Sequence, residues 1–241
     1  GQHQQDHGRG KIGEPRQRPP FPTDKGLYGK PTCINNVETW ANVPVIIMKG
    51  SAWYQSIGSA NSKGTKVISL AGNVARPGMI EVEMGTSLDD VVNMFGGGMA
   101  GGKTLKGIQT GGPSGGVLPA SMSNLGVDYD ELKNAGSMLG SGGMVIMDAD
   151  TDMVKIARYF TDFFVAESCG KCVPCREGVC RICDILDEIL SGRAQKDCLS
   201  ILRDMSDPIM KTSACALGKT APTPVLTTLH HFPEDYQKYI Q

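Results

Sequence analysis

The chain has 241 residues, 40% of them hydrophobic, and 24 Lys and Arg stand against 25 Asp and Glu for a formal charge of −1. That is enough apolar material for a core in one large domain or two small ones, and it excludes a disordered chain. Near-neutrality without a long basic block argues against nucleic acid as a partner, and no apolar run approaches the roughly 20 residues of a membrane span, so direct membrane insertion is not expected.

Residues 1–31 hold Pro15, Pro19, Pro20, Pro22 and Pro31 with little apolar periodicity, which predicts an extended path. His3 and His7 lie in a polar opening without an apolar face and are read as solvated. After Asn35-Asn36 the stretch from Trp40 to Met48 turns apolar, and Ala52-Trp53-Tyr54 fits a short helix packed beneath it. From Lys66 the pattern changes. Residues 67–72 and 79–83 predict two strands of a hairpin, with Val74-Ala75-Arg76-Pro77-Gly78 as the turn. Thr86 or Ser87 caps a helix carrying Leu88, Val91, Val92 and Phe95, and Leu105 to Thr110 resumes as a strand. This order suits a small β-grasp unit, in which a mixed sheet wraps one helix. The motif Gly111-Gly112-Pro113-Ser114-Gly115-Gly116 lacks the lysine of a phosphate loop and is read as a turn. Met144 to Asp148 adds a buried strand after this glycine-rich connection.

Beyond Asp150 the period becomes helical. Met153, Ile156, Ala157, Phe160, Phe163 and Phe164 form a first stripe, with Asp150 or Thr151 as its cap. Val179, Ile182, Cys183, Leu186, Ile189 and Leu190 form a second stripe ending at Gly192. Cys198, Ile201, Leu202 and Met205 form a third before Pro208, and Pro222 opens a fourth through Val225, Leu226 and Leu229. The fold class is therefore α+β: a small β-grasp domain followed by a four-helix bundle, with the Cys169 loop between the first two helices. Cys183 and Cys198 fall within apolar stripes and are read as small buried hydrophobes, and Cys180 as packed on its helix.

Cys169-Gly-Lys-Cys172-Val-Pro-Cys175 and a distant Cys215 make a 3+1 set of thiols. Each iron of a [4Fe–4S] cube needs one thiolate, and two-residue spacers let one tight loop reach three corners while a fourth ligand returns from elsewhere. Structural zinc is the second choice, because zinc sites usually bring their ligands in two separated pairs. Disulfides come third, since eight cysteines without a secretory leader point to a reducing cytoplasm or organelle matrix. Gly170 allows close backbone approach and Pro174 stiffens the loop. Lys171 and Arg176 add positive charge there, facing either the cluster or solvent. No serine or cysteine pairs evidently with any of the four histidines, so hydrolysis is not expected.

The segments Gly13-Glu14-Pro15-Arg16, Pro19-Pro20-Phe21-Pro22, residues 26–32, Asn35-Asn36-Val37-Glu38-Thr39, residues 167–178 and Ser213-Ala214-Cys215-Ala216-Leu217-Gly218 carry a specific likeness, covering about Gly13 to Tyr236. In them the chain resembles the NADH-binding flavoprotein subunit of respiratory complex I and its relatives in NAD-linked hydrogenases and formate dehydrogenases. The resemblance implies a relay from NADH through FMN to a [4Fe–4S] cluster and onward to other subunits of a multi-subunit oxidoreductase, among them a small thioredoxin-like iron–sulfur subunit. It implies Cys169, Cys172, Cys175 and Cys215 as iron ligands. It also implies Asn35 and Asn36 at the flavin, Phe21 on the adenine of NAD(H), and Ala216 and Leu217 between cluster shell and flavin. On the residues alone, the asparagines read as an Asx turn and Phe21 as a surface aromatic. Three parts are expected: residues 1–65 as a remnant of the FMN and NADH domain, 66–148 as the family's SLBB domain, and 149–241 as its cluster domain. The family's glycine-rich flavin loop is expected upstream of this stretch. The chain is thus expected to be a fragment, a truncated product or a piece of a split subunit, not catalytic alone. A non-catalytic iron–sulfur scaffold and a zinc-stabilised interaction module are the competing functions.

Overall fold

The computed structural model describes residues 19–240, and the likeness at residues 13–18, with His3 and His7, lies outside them. The chain divides into two compact units, the first ending at Tyr54 and the second starting at Gln55.

Within the first unit, the extended path expected near the prolines is broken by α1 (Pro22–Lys25) and a tight turn at Leu27–Gly29. Proline at a first helical position has no N–H to lose and a φ already suited to the helix, so Pro22 starts α1 rather than blocking it. Helix α2 (Val37–Lys49) follows, and α3 (Ser51–Gln55) crosses into the second unit. Pro44 lies inside α2 on an exposed position, and neither helix has a buried residue.

The second unit opens with β1 (Thr65–Gly72) and β2 (Gly78–Glu83), an antiparallel hairpin with Ile68 opposite Ile80. The Ser87 hydroxyl accepts from the Asp90 N–H and starts α4 (Leu88–Asp90), which widens into a π turn over Val91–Phe95. Strand β3 (Leu105–Thr110) pairs with β4 (Val117–Pro119) and with β5 (Gly143–Asp148). The sheet order is β2-β1-β5-β3-β4, and only β1 and β5 run parallel. Ile68, Leu70, Leu88, Val91, Ile108 and Ile146 meet in its core. The sheet is mixed, as the alternation predicts. Strand β4 and helix α5 (Tyr129–Asn134) were not anticipated within the glycine-rich connection, whose Gly111–Gly116 stretch is a turn with positive φ at Gly111 and Gly112.

Helix α6 (Met153–Glu167) is capped by Asp152, one residue past Thr151 and two past Asp150, because the Asp152 carboxylate accepts from the N–H groups of Val154 and Lys155. Its buried stripe runs Met153, Ala157, Phe160 and Phe164, while Phe163 lies off it and is 43% exposed. Helix α7 (Cys180–Leu190) follows a π turn at Pro174–Val179. Helix α8 (Cys198–Thr212) runs through Pro208 instead of ending before it. Proline removes the bond to the carbonyl of Asp204, but both residues are exposed, where water can serve that carbonyl, and buried Leu202 and Ile209 hold the other face. Short α9 (Ala216–Thr220), then α10 (Thr223–His231) and short α11 (Pro233–Gln237) complete the order. Phe164, Val179, Leu186, Leu202, Val225 and Tyr236 share one core among these helices.

A polar clamp fixes the helices to the sheet. Lys106 of β3 donates to Asp235 and to the Thr151 carbonyl, both at 2.7 Å, and Asp235 also accepts from the Met153 N–H at 2.8 Å. The Val117 N–H donates to the Thr227 hydroxyl at 3.0 Å. Among the described residues no helix is long and apolar enough to cross a membrane.

Candidate iron–sulfur centre

Helix α6 ends at Ser168, whose N–H returns to the Val165 carbonyl while its backbone turns extended and delivers Cys169. Gly170 takes φ +72, a left-handed conformation that a side chain would strain, and so lets the loop reverse within one residue. The Arg176 N–H closes the loop on the Cys172 carbonyl at 3.0 Å. Its guanidinium donates to the Gly170 carbonyl at 2.7 Å and pairs with Glu177 at 2.8 Å. Arg176 is therefore a brace for the loop. The π turn beginning at Pro174 widens the helix where Cys175 and Val179 turn inward, and both are buried.

The fourth thiol arrives from the end of α8. Helix α8 ends at Ser213, the chain turns extended, and Cys215 becomes the N-cap of α9. The Ala214 N–H lies against the Cys172 sulfur, joining this turn to the ligand loop. Gly218 brings α9 close to the loop: a Cβ there would come within 2.5 Å of Ser213 Oγ and 3.0 Å of Cys175 Cβ.

The electrostatics report the same convergence. Burial pushes the Cys175 thiol up, the Ser168 hydroxyl opposes this, and the thiols of Cys172, Cys215 and Cys169 raise it further, so all three lie within electrostatic reach. Burial would also raise Cys172. Hydrogen bonds from the N–H groups of Ala214, Cys175 and Cys172 and the nearby Ser213 hydroxyl outweigh it and hold that thiol below its ordinary value. Ser168 Oγ accepts from the Gly170 N–H and sits 3.4 Å from Cys175 Sγ. Cys169 is exposed, Cys172 and Cys215 are half-buried, and all eight cysteines are free thiols.

This donor set fits a cube. Repulsion among several thiolates is relieved by the positive charge of iron, and backbone N–H groups already face one of the sulfurs. A single zinc with bonds of about 2.3 Å would hold its four sulfurs roughly 4 Å apart. Among the described residues no three His, Cys, Asp or Glu side chains are gathered for a single ion. A cube sets each thiolate on its own iron and spaces the sulfurs more widely.

Residues 155–239 match the model of the NADH-ubiquinone oxidoreductase-F iron-sulfur binding region, and residues 67–118 match the SLBB domain. The chain thus carries this iron-sulfur binding region and an SLBB domain. It is 48% identical over 231 residues to the NADP-reducing hydrogenase subunit HndC of Solidesulfovibrio fructosivorans, covering 96% of this chain and 47% of that protein. It is 40% identical over 233 residues to the F subunit of the NADH-quinone oxidoreductase of Rickettsia felis, covering 96% and 55%. The chain thus spans about half the length of these curated relatives. Among solved structures, the crystal structure of an NAD+-reducing [NiFe]-hydrogenase in the H2-reduced state superposes with a TM-score of 0.87 at 33% identity, covering 96% of this chain and 39% of that one.

The residues singled out by resemblance divide between the two units. Exposed Ala216 and half-buried Leu217 follow Cys215 directly on α9. Phe21, Asn35 and Asn36 are exposed residues of the first unit. Asn36 caps α2 by accepting from the Glu38 N–H at 2.8 Å, and Asn35 Nδ2 donates to Cys33 Sγ at 3.3 Å. Cys183 and Cys198 are buried as expected, and burial lifts the Cys183 thiol to about 11. Cys180 is exposed, a correction to the packed position expected for it, because α7 turns Ile182, Cys183, Leu186 and Ile189 inward and leaves position 180 on the outer face. Sequence reasoning missed Ser168 and Ser213. Their one signal is position: a hydroxyl residue directly before Cys169 and another two before Cys215.

Proposed function

We propose that this chain is an electron-carrying part of an NADH-oxidising flavoprotein subunit, with a [4Fe–4S] cluster on Cys169, Cys172, Cys175 and Cys215. The observation that carries this reading is the meeting of the two chain segments: Cys175 feels the three other thiols, and the Ala214 N–H reaches Cys172. When bound, the cluster would take up and release one electron at a time. Arg176 braces the loop, and the backbone N–H groups at Ala214 and Cys175 receive charge on the Cys172 sulfur. The division into residues 1–65, 66–148 and 149–241, the last a helical bundle around the cluster, belongs to this reading. So do Phe21, Asn35, Asn36, Ala216 and Leu217 as contacts for NAD(H) and FMN, and a multi-subunit assembly with a small thioredoxin-like iron–sulfur partner in the cytoplasm or an organelle matrix. Anaerobically reconstituted protein is expected to bind about four irons per chain and to show a reducible cubane EPR signal. Zinc without iron, or no such signal, sinks the proposal.

The engagement of the Asn36 side-chain oxygen in capping α2 favours a second reading, an iron–sulfur scaffold that binds neither FMN nor NADH. Flavin titration separates the two, since tight FMN uptake excludes the scaffold.

A further inference from the structure

Several hydroxyl groups inside these helices share one habit, and Ser213 at the end of α8 departs from it. Thr161, Ser206, Thr212 and Thr228 each donate to the carbonyl four residues back. Ser213 is only 3% exposed, and its Oγ has no hydrogen-bond partner of ordinary geometry, a condition shared among the described residues only with Gln109 Oε1. A buried hydroxyl left in this state calls for an explanation.

Its surroundings supply one. The α8 helix ends at Ser213, where the backbone turns extended at φ −64 and ψ 140. Gly218 leaves the space the hydroxyl occupies: a Cβ there would meet Ser213 Oγ at 2.5 Å and Cys175 Cβ at 3.0 Å. The Cys172 sulfur is close enough for the same hydroxyl to act on it electrostatically, although the approach falls short of a formed hydrogen bond. A thiol is a weak acceptor, whereas a thiolate is a strong one.

We propose that the Ser213 hydroxyl is a built-in donor to the thiolate of Cys172, holding the cluster's reduction potential up. The inference rests on the cluster reading above. The hydroxyl keeps its proton throughout, and its bond to sulfur strengthens when one added electron makes the sulfurs more negative, so it favours the reduced state.

The test is an EPR-monitored redox titration of the anaerobically reconstituted full chain, as wild type, Ser213→Ala and Ser213→Thr, with iron measured in each. The alanine variant is expected to keep its iron but to titrate at lower potential, by up to about tenfold in the reduced-to-oxidised ratio, or about 59 mV for one electron. Threonine, which retains the hydroxyl, restores the wild-type value. Loss of iron with alanine that threonine rescues would also support the donor role. An unchanged midpoint with alanine, a lowered midpoint with threonine, or loss of iron in both variants overturns it, leaving Ser213 a packing residue. A wild-type chain without any reducible cluster is a different result, since it sinks the underlying reading and the inference with it.

Discussion

The sheet and the ligand loop solve the problem of burying polar groups in opposite ways. Around the sheet, Asp128 accepts from the Ser59 hydroxyl and from the N–H groups of Asp130 and Glu131, Thr110 bonds Ser137, and Lys106 meets Asp235. Gln109 Oε1 is the exception there. At the loop, a buried thiol, a half-buried thiol biased toward its charged form and an unpartnered hydroxyl stand together. Such a group costs stability unless a further component completes it. Gln109 aside, the sheet region is finished by its own side chains, whereas the loop leaves the Ser213 hydroxyl without a partner.

The sharpest test of that contrast is Cys175→Ser. It should abolish most iron binding, read as loss of iron, sulfide and visible absorbance after reconstitution, while the sheet stays folded by amide exchange. Full iron retention would break the comparison.

Asp235→Ala should be next in size. It leaves Lys106 partly buried beside an unmet Met153 N–H, and removing one member of such a pair costs about 3–5 kcal/mol, measured by denaturant unfolding. A loss under about 1 kcal/mol, the range of surface pairs, would mean that the clamp is effectively solvated.

Gly218→Ala puts a methyl group against Ser213 and Cys175 and should cost about 1–3 kcal/mol by overpacking. Because the strain falls on the ligand loop, iron uptake should weaken along with stability. If stability falls while iron uptake stays the same, α9 does not hold the loop in place.

The smallest effect is expected from Asp128→Ala, about 1 kcal/mol from loss of the α5 cap. Burial alone would raise the Asp128 carboxyl, but the hydroxyls of Ser59 and Ser62 and the N–H groups of Glu131 and Asp130 hold it below the ordinary aspartate value. Its folded-state pKa is depressed, so its stabilisation is fully present above the unfolded value, near pH 4, and is lost as pH falls through the folded value. Acid unfolding should therefore separate the alanine variant from wild type least at the lowest pH. A constant gap down to that pH would remove Asp128 as a titrating contributor.

Legibility followed the reach of the interactions. The β1–β2 hairpin, α4, β3, β5 and the stripes of α6 and α7 each satisfy a pattern within about ten residues, and sequence spacing exposes such patterns directly. Strand β4 has three residues and exists because Val117 to Pro119 pairs with Gln109 to Gly107 across the sheet, a partner no local window contains. The continuation of α8 past Pro208 depended on which face of the helix met solvent. The side-chain oxygen of Asn36 caps α2, as the Asx alternative to its flavin role describes.

The amino-acid sequence by itself determined the thiol set, the family likeness and the alternation of strand and helix periods, because those are carried by residue type and spacing along one chain. Only the tertiary structure decided that Ala214 reaches Cys172, that Gly218 admits Ser213 beside Cys175, and that Asp235 locks β3 to α6. Each of these joins segments whose separation in the chain says nothing about their distance in space. There, burial sets what a lone hydroxyl or carboxylate must do.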